Sequence, residues 1–417
     1  MTPVELRFML DPESRVLLID ITGHDRAGVT HSLTSILAGS GARVLDIGQA
    51  VIHDALALGI LVEMTPEMKT SPLLTELLLK AHQLGVQIRF TAITGEEYQQ
   101  WVTSQSKRRF LITVLGPSIT AQHVSEVSGI VAKAGLNIDR IDRLSGRTAL
   151  DAAVDAPSRV CFELAVSGEA PEEDSVRAAL LALTAEHDID IAFQHDNVYR
   201  RIRRLVAFDM DSTLISTEVI DELALLAGVG EQVAKITEAA MRGKLDFQAS
   251  FRERVALLRG LPESNLQTVI DKIPLMEGAE RLISTLRRLG YKTAILSGGF
   301  TFVGRELKRT LGIDYLHAND LDLRDGVVTG EVTGAIVDGA RKASLLREIA
   351  KAENISMEQV IAVGDGANDL PMLRIAGLGI AFRAKPLVRQ SARQSISTMG
   401  LDGILYLLGV RDREALG

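Results

Sequence analysis

Residues Leu205–Leu214 read LVAFDMDSTL, and this stretch decides the fold. Leu205 to Phe208 form a short, wholly apolar run. Such a run fits a central strand buried on both faces of a parallel sheet. It ends in Asp209 and Asp211, two acids two positions apart. Side chains at that spacing can point the same way. In open α/β sheets ligands bind outside the carboxyl ends of the strands. Two close carboxylates repel, so the place needs a cation or a shared proton. A hard divalent ion that prefers oxygen, such as Mg²⁺, would supply it. Ser212 and Thr213 add hydroxyls.

Three segments further on repeat the pattern of strand, then polar turn. Thr293–Leu296 runs into Ser297-Gly298-Gly299, where glycine lets the backbone approach an anion closely. Gly339-Ala340-Arg341-Lys342 presents cations just before a helical pattern through Leu345, Leu346 and Ile349. Val360–Val363 runs into GDGANDL, which places Asp365 and Asp369 after a strand. Acids, a hydroxyl and a cation at the strand ends of one sheet suit phosphoryl transfer.

DMDST, SGG, the lysine and GDGAND, in that order, resemble the four motifs of the haloacid dehalogenase superfamily of phosphotransferases. The resemblance implies an α/β, doubly wound parallel-sheet domain. It implies Asp209 as a nucleophile that forms an aspartyl-phosphate. Asp211 would protonate the leaving alkoxide and then activate water. Mg²⁺ would be held by Asp209, the Asp211 backbone carbonyl and Asp365, with Asp369 in support. Ser297 and Lys342 would bind the phosphoryl oxygens, with Arg341 a competitor for the second role. Gly298 and Asn368 match family positions near the substrate phosphate.

Between residues 217 and 273 lies a helical insertion that resembles the small cap of one branch of this superfamily. Caps exclude water and choose substrates. Glu218 follows the aspartates closely, and LDFQASFRERVALLRGL (Leu245–Leu261) offers Phe247, Arg252 and Arg254. This pattern resembles the phosphoserine phosphatases. In that family the glutamate takes the substrate ammonium and an arginine its carboxylate, a pairing that suits the planar guanidinium. The roles fall on Glu218 and Arg254, with Arg252 the alternative anchor and Phe247 and Met241 an apolar wall. The expected reaction is hydrolysis of O-phospho-L-serine. The alternative substrate is another small phosphomonoester, such as phosphohomoserine. Alternating Val, Thr and Gly between Asn319 and Val337, with Asp325-Gly326 as turn, predicts an antiparallel ribbon near the site's rim.

Ahead of this domain a β-α-β-β-α-β order occurs twice, up to about Tyr98 and again from about Arg108 to Asp196, a repeat of roughly 95 residues. In the first copy GHDRAG (Gly23–Gly28) precedes a helical face of Val29, Leu33, Ile36 and Leu37. This opening resembles ACT domains, ferredoxin-like modules that often bind amino acids. The resemblance implies a ligand site at Asp25, Arg26 and Gly28, L-serine as an effector, and a homodimer formed by edge-to-edge pairing. The second copy has GPSIT at that place and lacks the Asp-Arg pair, which casts it as a packing partner. The expected domains are 1–100 and 107–197 (both ACT-like) and 201–417 (phosphatase), with the cap at about 217–273.

Composition bounds the rest. The 417 residues carry 46 basic and 54 acidic side chains, a net charge of −8, which argues against a nucleic-acid partner. No apolar run approaches the ~18 residues of a membrane span, and the start lacks a secretory leader. The expectation is a cytoplasmic protein with no membrane partner. The basic RRIRR of Arg200–Arg204 reads as a solvated linker or an interdomain contact. Cys161, the single cysteine, reads as a small buried hydrophobe.

Overall fold

The structure is a computed structural model; it describes residues 14–104, 107–147, 159–169, 172–241 and 246–415. The sequence between the middle strands of the second module reads as an exposed hairpin loop at residues 146–157, and all of it but 146 and 147 lies outside the described residues, as does the side chain of Met241. Two compact units divide the chain after residue 107.

The first unit holds strands β1 (Ser14–His24), β2 (Arg43–Ile52), β3 (Ala55–Glu63) and β4 (Val86–Thr94) in the antiparallel order β2-β3-β1-β4. Helices Val29–Gly39 and Leu73–Leu84 place Leu33, Leu37, Leu77 and Ala81 against Leu17, Ile19, Ile60 and Val62 of the sheet. Gly28 starts the first helix at φ +91°, a left-handed conformation that glycine adopts without the cost a β-carbon brings. Asp25 and Arg26 are exposed beside it.

The second unit begins with β5 (Arg108–Gly116), β6 (Asn137–Arg143), β7 (Val160–Gly168) and β8 (Asp190–His195), in the order β6-β7-β5-β8. The helix Ala121–Lys133 starts differently from its counterpart. Thr120 accepts from the His123 backbone N–H, and the His123 ring closes a reciprocal capping box. The GPSIT departure therefore changes how the helix is capped as well as removing the Asp-Arg pair.

The same unit contains a seven-stranded sheet of β9 (Leu205–Phe208), β10 (Lys292–Phe300), β11 (Tyr315–Arg324), β12 (Val327–Thr333), β13 (Val360–Gly364), β14 (Leu378–Phe382) and β15 (Gln394–Ile396). Its order is β12-β11-β10-β9-β13-β14-β15, parallel throughout except for the edge strand β12. The Asn319–Val337 ribbon is present, turning at Asp325 and Gly326, both with positive φ as the tightest hairpins require. Its first strand starts earlier than expected and first pairs in parallel with β10. The ribbon closes against the insertion, where Val328 N–H donates to the Leu261 carbonyl and Gly260 N–H to that of Val328.

No boundary in packing separates the second module from this sheet. Leu115, Leu144, Cys161 and Ala192 lie in the same buried cluster as Phe208, Ile396 and Leu405. Cys161 is fully buried, and burial drives its thiol well above the usual range, which suits a packing role. Of the two readings of RRIRR, contact holds for Arg200, which is buried and pairs with Glu163 of β7, whereas Arg201 and Arg204 are exposed. The Asp190 carboxylate accepts the backbone N–H groups of Ser397 and Thr398 and the Thr398 hydroxyl, each at 2.8 Å.

Candidate active site

The sheet register assembles the site. Phe208 on β9 aligns with Ile295 on β10 and with Val363 on β13. Asp209, Ser297 and Asp365 therefore all leave the sheet at the same end. Beyond Asp209 the chain turns sharply, with Ser212 in a left-handed conformation at φ +56°. A side chain there costs of order 1 kcal/mol. Ser212 N–H donates to the Thr217 carbonyl at 3.3 Å, and its hydroxyl to Glu218 Oε1 at 2.9 Å. The turn thus aims Glu218 into the cleft.

Lys342 is fully buried in the first turn of helix Gly339–Ala352, whose N-cap is Asp338. Its ammonium lies 2.7 Å from Asp209 Oδ2 and 2.7 Å from Asp369 Oδ1. Arg341, the competitor in the sequence, turns away to Glu348 at 2.7 Å. Burial alone would lower the Lys342 pKa; the Asp209 and Asp369 carboxylates overcome that and raise it. The ammonium therefore stays charged across the physiological range.

Carboxylate oxygens of Asp209, Asp365 and Asp369 lie within 4.8 Å of one another, a donor set that fits a hard cation. Burial, followed by the charge of Asp209, raises Asp365 to about 7 and Asp369 to about 8. The Asp211 carboxyl is not in this set. Its Oδ1 accepts from the Val219 N–H at 3.1 Å. Burial, with the charges of Glu218 and Asp209, drives Asp211 well above the usual carboxylate range. A carboxyl so raised is suited to carry a proton that it can give to a leaving group.

These shifts carry a sign. An acid whose folded pKa lies above its unfolded value stabilises the fold only while protonated, and that contribution fades as pH rises through the folded value. For Asp365 and Asp369 the window is about pH 4 to 8. A bound divalent cation offsets the loss. Added Mg²⁺ should therefore raise the melting temperature more at pH 8 than at pH 6. An equal rise at both would show that the ion does not sit among these acids.

Ser297 is buried, and its Oγ accepts from the Gly299 N–H at 2.9 Å. A β-carbon on Gly299 would stand 2.2 Å from Asp211 Oδ2, so only glycine admits that approach. One on Gly298 would stand 2.7 Å from the Phe247 ring, which places this residue of the insertion directly over the turn. Arg254 is half-buried near Glu218, Asp221 and Asp211, whereas Arg252 is exposed. Glu218 faces the open cleft; crowding by protein, offset in part by the Ser212 hydroxyl, raises its pKa. Asn368 is half-buried, with its carbonyl close against Gly339. Asp209, Asp211, Glu218, Arg254 and Lys342 thus act on one another around one cleft, and the exposed Arg252 is not among them.

One participant, Asn319, escapes a sequence reading, and one hydroxyl noted in the sequence, that of Thr213, finds its partner. Asn319 is buried; its Nδ2 donates to the Gly298 carbonyl at 2.8 Å and its Oδ1 accepts from the Val337 N–H at 2.9 Å. It fixes the glycine turn to the stretch leading to Lys342. Thr213, fully buried, donates to Asp365 Oδ1 at 3.0 Å.

The sequence model of haloacid dehalogenase-like hydrolases matches residues 203–377, and two ACT-domain models match residues 15–91 and 109–194. A phosphoserine phosphatase of Streptomyces coelicolor is 42% identical over 95% of this chain and 93% of its own. One of Mycobacterium tuberculosis is 41% identical over 97% and 95%. Among solved structures, a HAD-family hydrolase from Salmonella enterica serovar Typhi superimposes with a TM-score of 0.61 and 33% identity, covering 72% of this chain and 98% of that one. With identity sustained along nearly the whole chain, this protein belongs to the phosphoserine phosphatase family of haloacid dehalogenase-like hydrolases, with two ACT domains ahead of the hydrolase domain.

Proposed function

We propose that the protein hydrolyses O-phospho-L-serine to L-serine and phosphate with Mg²⁺ as cofactor, the last step of serine synthesis. The observation that carries the chemistry is the buried Lys342 held between Asp209 and Asp369, beside an acid trio suited to a cation. When bound, Mg²⁺ adds positive charge against the phosphoryl oxygens. Asp209 attacks phosphorus, the P–O bond to the serine oxygen breaks, and Asp211 gives its proton to that oxygen. Water then attacks the aspartyl-phosphate, Asp211 takes back a proton, and phosphate leaves with Asp209 restored. Lys342 and Ser297 hold the phosphoryl oxygens, with Gly298 and Asn368 lining that pocket. Residues 217–273 act as the cap that covers it.

For the substrate, Glu218 takes the ammonium and Arg254 the carboxylate, with Phe247 as an apolar wall. Arg254→Ala should weaken use of phosphoserine tenfold or more, since a charge-assisted bond is worth about 1.5–3 kcal/mol. It should leave hydrolysis of phosphoethanolamine, which has no carboxylate, nearly unchanged. Equal losses on both substrates would point to damage of the cap instead.

The experiment that tests the function is phosphate release from L-phosphoserine with Mg²⁺, against phosphohomoserine and phosphoethanolamine, with and without L-serine. Preference for phosphoserine supports the assignment; activity only on other esters removes the substrate and keeps the mechanism. We place L-serine as effector at Asp25, Arg26 and Gly28 of the first ACT domain, in a homodimer. A saturating serine titration that changes neither activity nor subunit association would remove that part. Among the described residues no helix is long and apolar enough to cross a membrane, and a cytoplasmic location fits this reading.

A further inference from the structure

We infer that the seam between the second ACT domain and the catalytic sheet holds a second anion-binding site, formed by Arg177, Arg389 and Arg393, for a small phosphate-bearing ligand. A cavity of about 230 Å³ lies there, between helix Glu173–Glu186 and β8 on one side and helix Pro386–Ser391 and β15 on the other. That volume accommodates a free phosphate or a small phosphomonoester.

The charge around the cavity is one-sided. Among the described residues, Asp174 is its single acidic lining residue, facing three guanidinium groups. The acids nearby are engaged elsewhere. Glu173 lies 3.8 Å from Arg108 and 3.1 Å from His195. Asp190, on which Arg389 acts electrostatically, accepts from Ser397 and Thr398. Neither Arg389 nor Arg393 has a carboxylate at ion-pair distance among the described residues.

Arg177 is fixed in advance. Its Nη1 donates to the carbonyls of Phe193 at 3.3 Å and Arg393 at 3.1 Å, and its guanidinium sits 5.5 Å from the Phe193 ring centre. These contacts use one terminal nitrogen and leave the rest of the planar fork for a bidentate partner. Burial, and then the charge of Arg393, lower its pKa from the usual arginine value, and the acids Glu173 and Asp174 offset part of this. An oxyanion at the centre converts that repulsion into attraction. Tetrahedral phosphate, with several acceptor oxygens, can serve three guanidiniums at once. The ligand would bridge two modules that already share a core.

The test uses the full-length, Mg²⁺-loaded protein and isothermal titration with inorganic phosphate, alongside methylphosphonate as a stand-in for a phosphomonoester. The wild type should bind two phosphates per chain, one of them at the catalytic site. R389Q/R393Q should bind one, with the other weakened tenfold or more, while inhibition of turnover by phosphate stays unchanged. The variant should melt close to the wild type in phosphate-free buffer, because losing the repulsion between Arg393 and Arg177 offsets losing the attraction of Arg389 for Asp190. Stronger binding of methylphosphonate at the second site would indicate a monoester as the physiological ligand; stronger binding of phosphate would indicate the free ion. A single phosphate on the wild type, or two on the variant, overturns the proposal. A second measurement needs no variant: tungstate soaked into wild-type crystals should give anomalous density between the three arginines. Its presence at the catalytic site alone would also overturn the inference.

Discussion

Asp209→Asn should abolish phosphoserine turnover, by about 10⁴-fold or more, while leaving the fold intact. Losses of that order follow removal of a nucleophile when binding groups remain. The amide keeps the shape of the carboxylate and still accepts from the Met210 N–H, now at 2.7 Å. Lys342 retains Asp369 at 2.7 Å, so no buried charge is orphaned. The amide cannot form the acyl phosphate. The measurement is phosphate release together with the melting temperature. Ready turnover by a homogeneous, folded sample would overturn the nucleophile assignment.

Lys342→Met should be inactive as well, but for a different reason and with a different stability signature. Methionine fills most of the space and removes the charge between Asp209 and Asp369. Breaking a buried pair from one side costs about 3–5 kcal/mol when the remaining charge has no relief. Relief exists here, because Asp369 takes a proton below about 8 even beside the lysine. The deficit should therefore be small in acid and grow as pH rises through that value. Denaturant unfolding of the metal-free variant and wild type at pH 5.5 and pH 8.5 checks this. An equal deficit at both pH values would mean that lost packing, not charge, dominates.

Much of this architecture is legible in the chain. The β9 run, the two acids after it and the later strand-turn segments locate the catalytic sheet, because a strand buried on both faces has to be apolar and its polar exit stands out. The βαββαβ order of both front modules follows from periodicity in the same way. What escaped depends on contacts distant in sequence. Nothing local about Asn319 shows that its amide joins Gly298 to Val337. Arg341 and Lys342 are equivalent as text; only the helix phase buries one and exposes the other. The helix Gly95–Ser104 gives no periodic signal in the sequence because it buries no apolar stripe. A cue was present in Thr94 and Glu97, whose reciprocal bonds form a capping arrangement before it.

The packing of Leu115, Leu144, Cys161 and Ala192 into the catalytic core bears on how this gene can be rearranged. A duplication makes two copies that begin as equals, each free to be lost, swapped or recruited. Once one copy lends its side chains to a neighbour's interior, that freedom ends: deletion would strip Phe208 and Ile396 of partners and leave a wound in the enzyme itself. The viable breakpoint lies near residue 107, not at the apparent module edge near residue 197. The core residues of the second copy are then held to the catalyst's interior, while its GPSIT turn keeps the task of capping a helix.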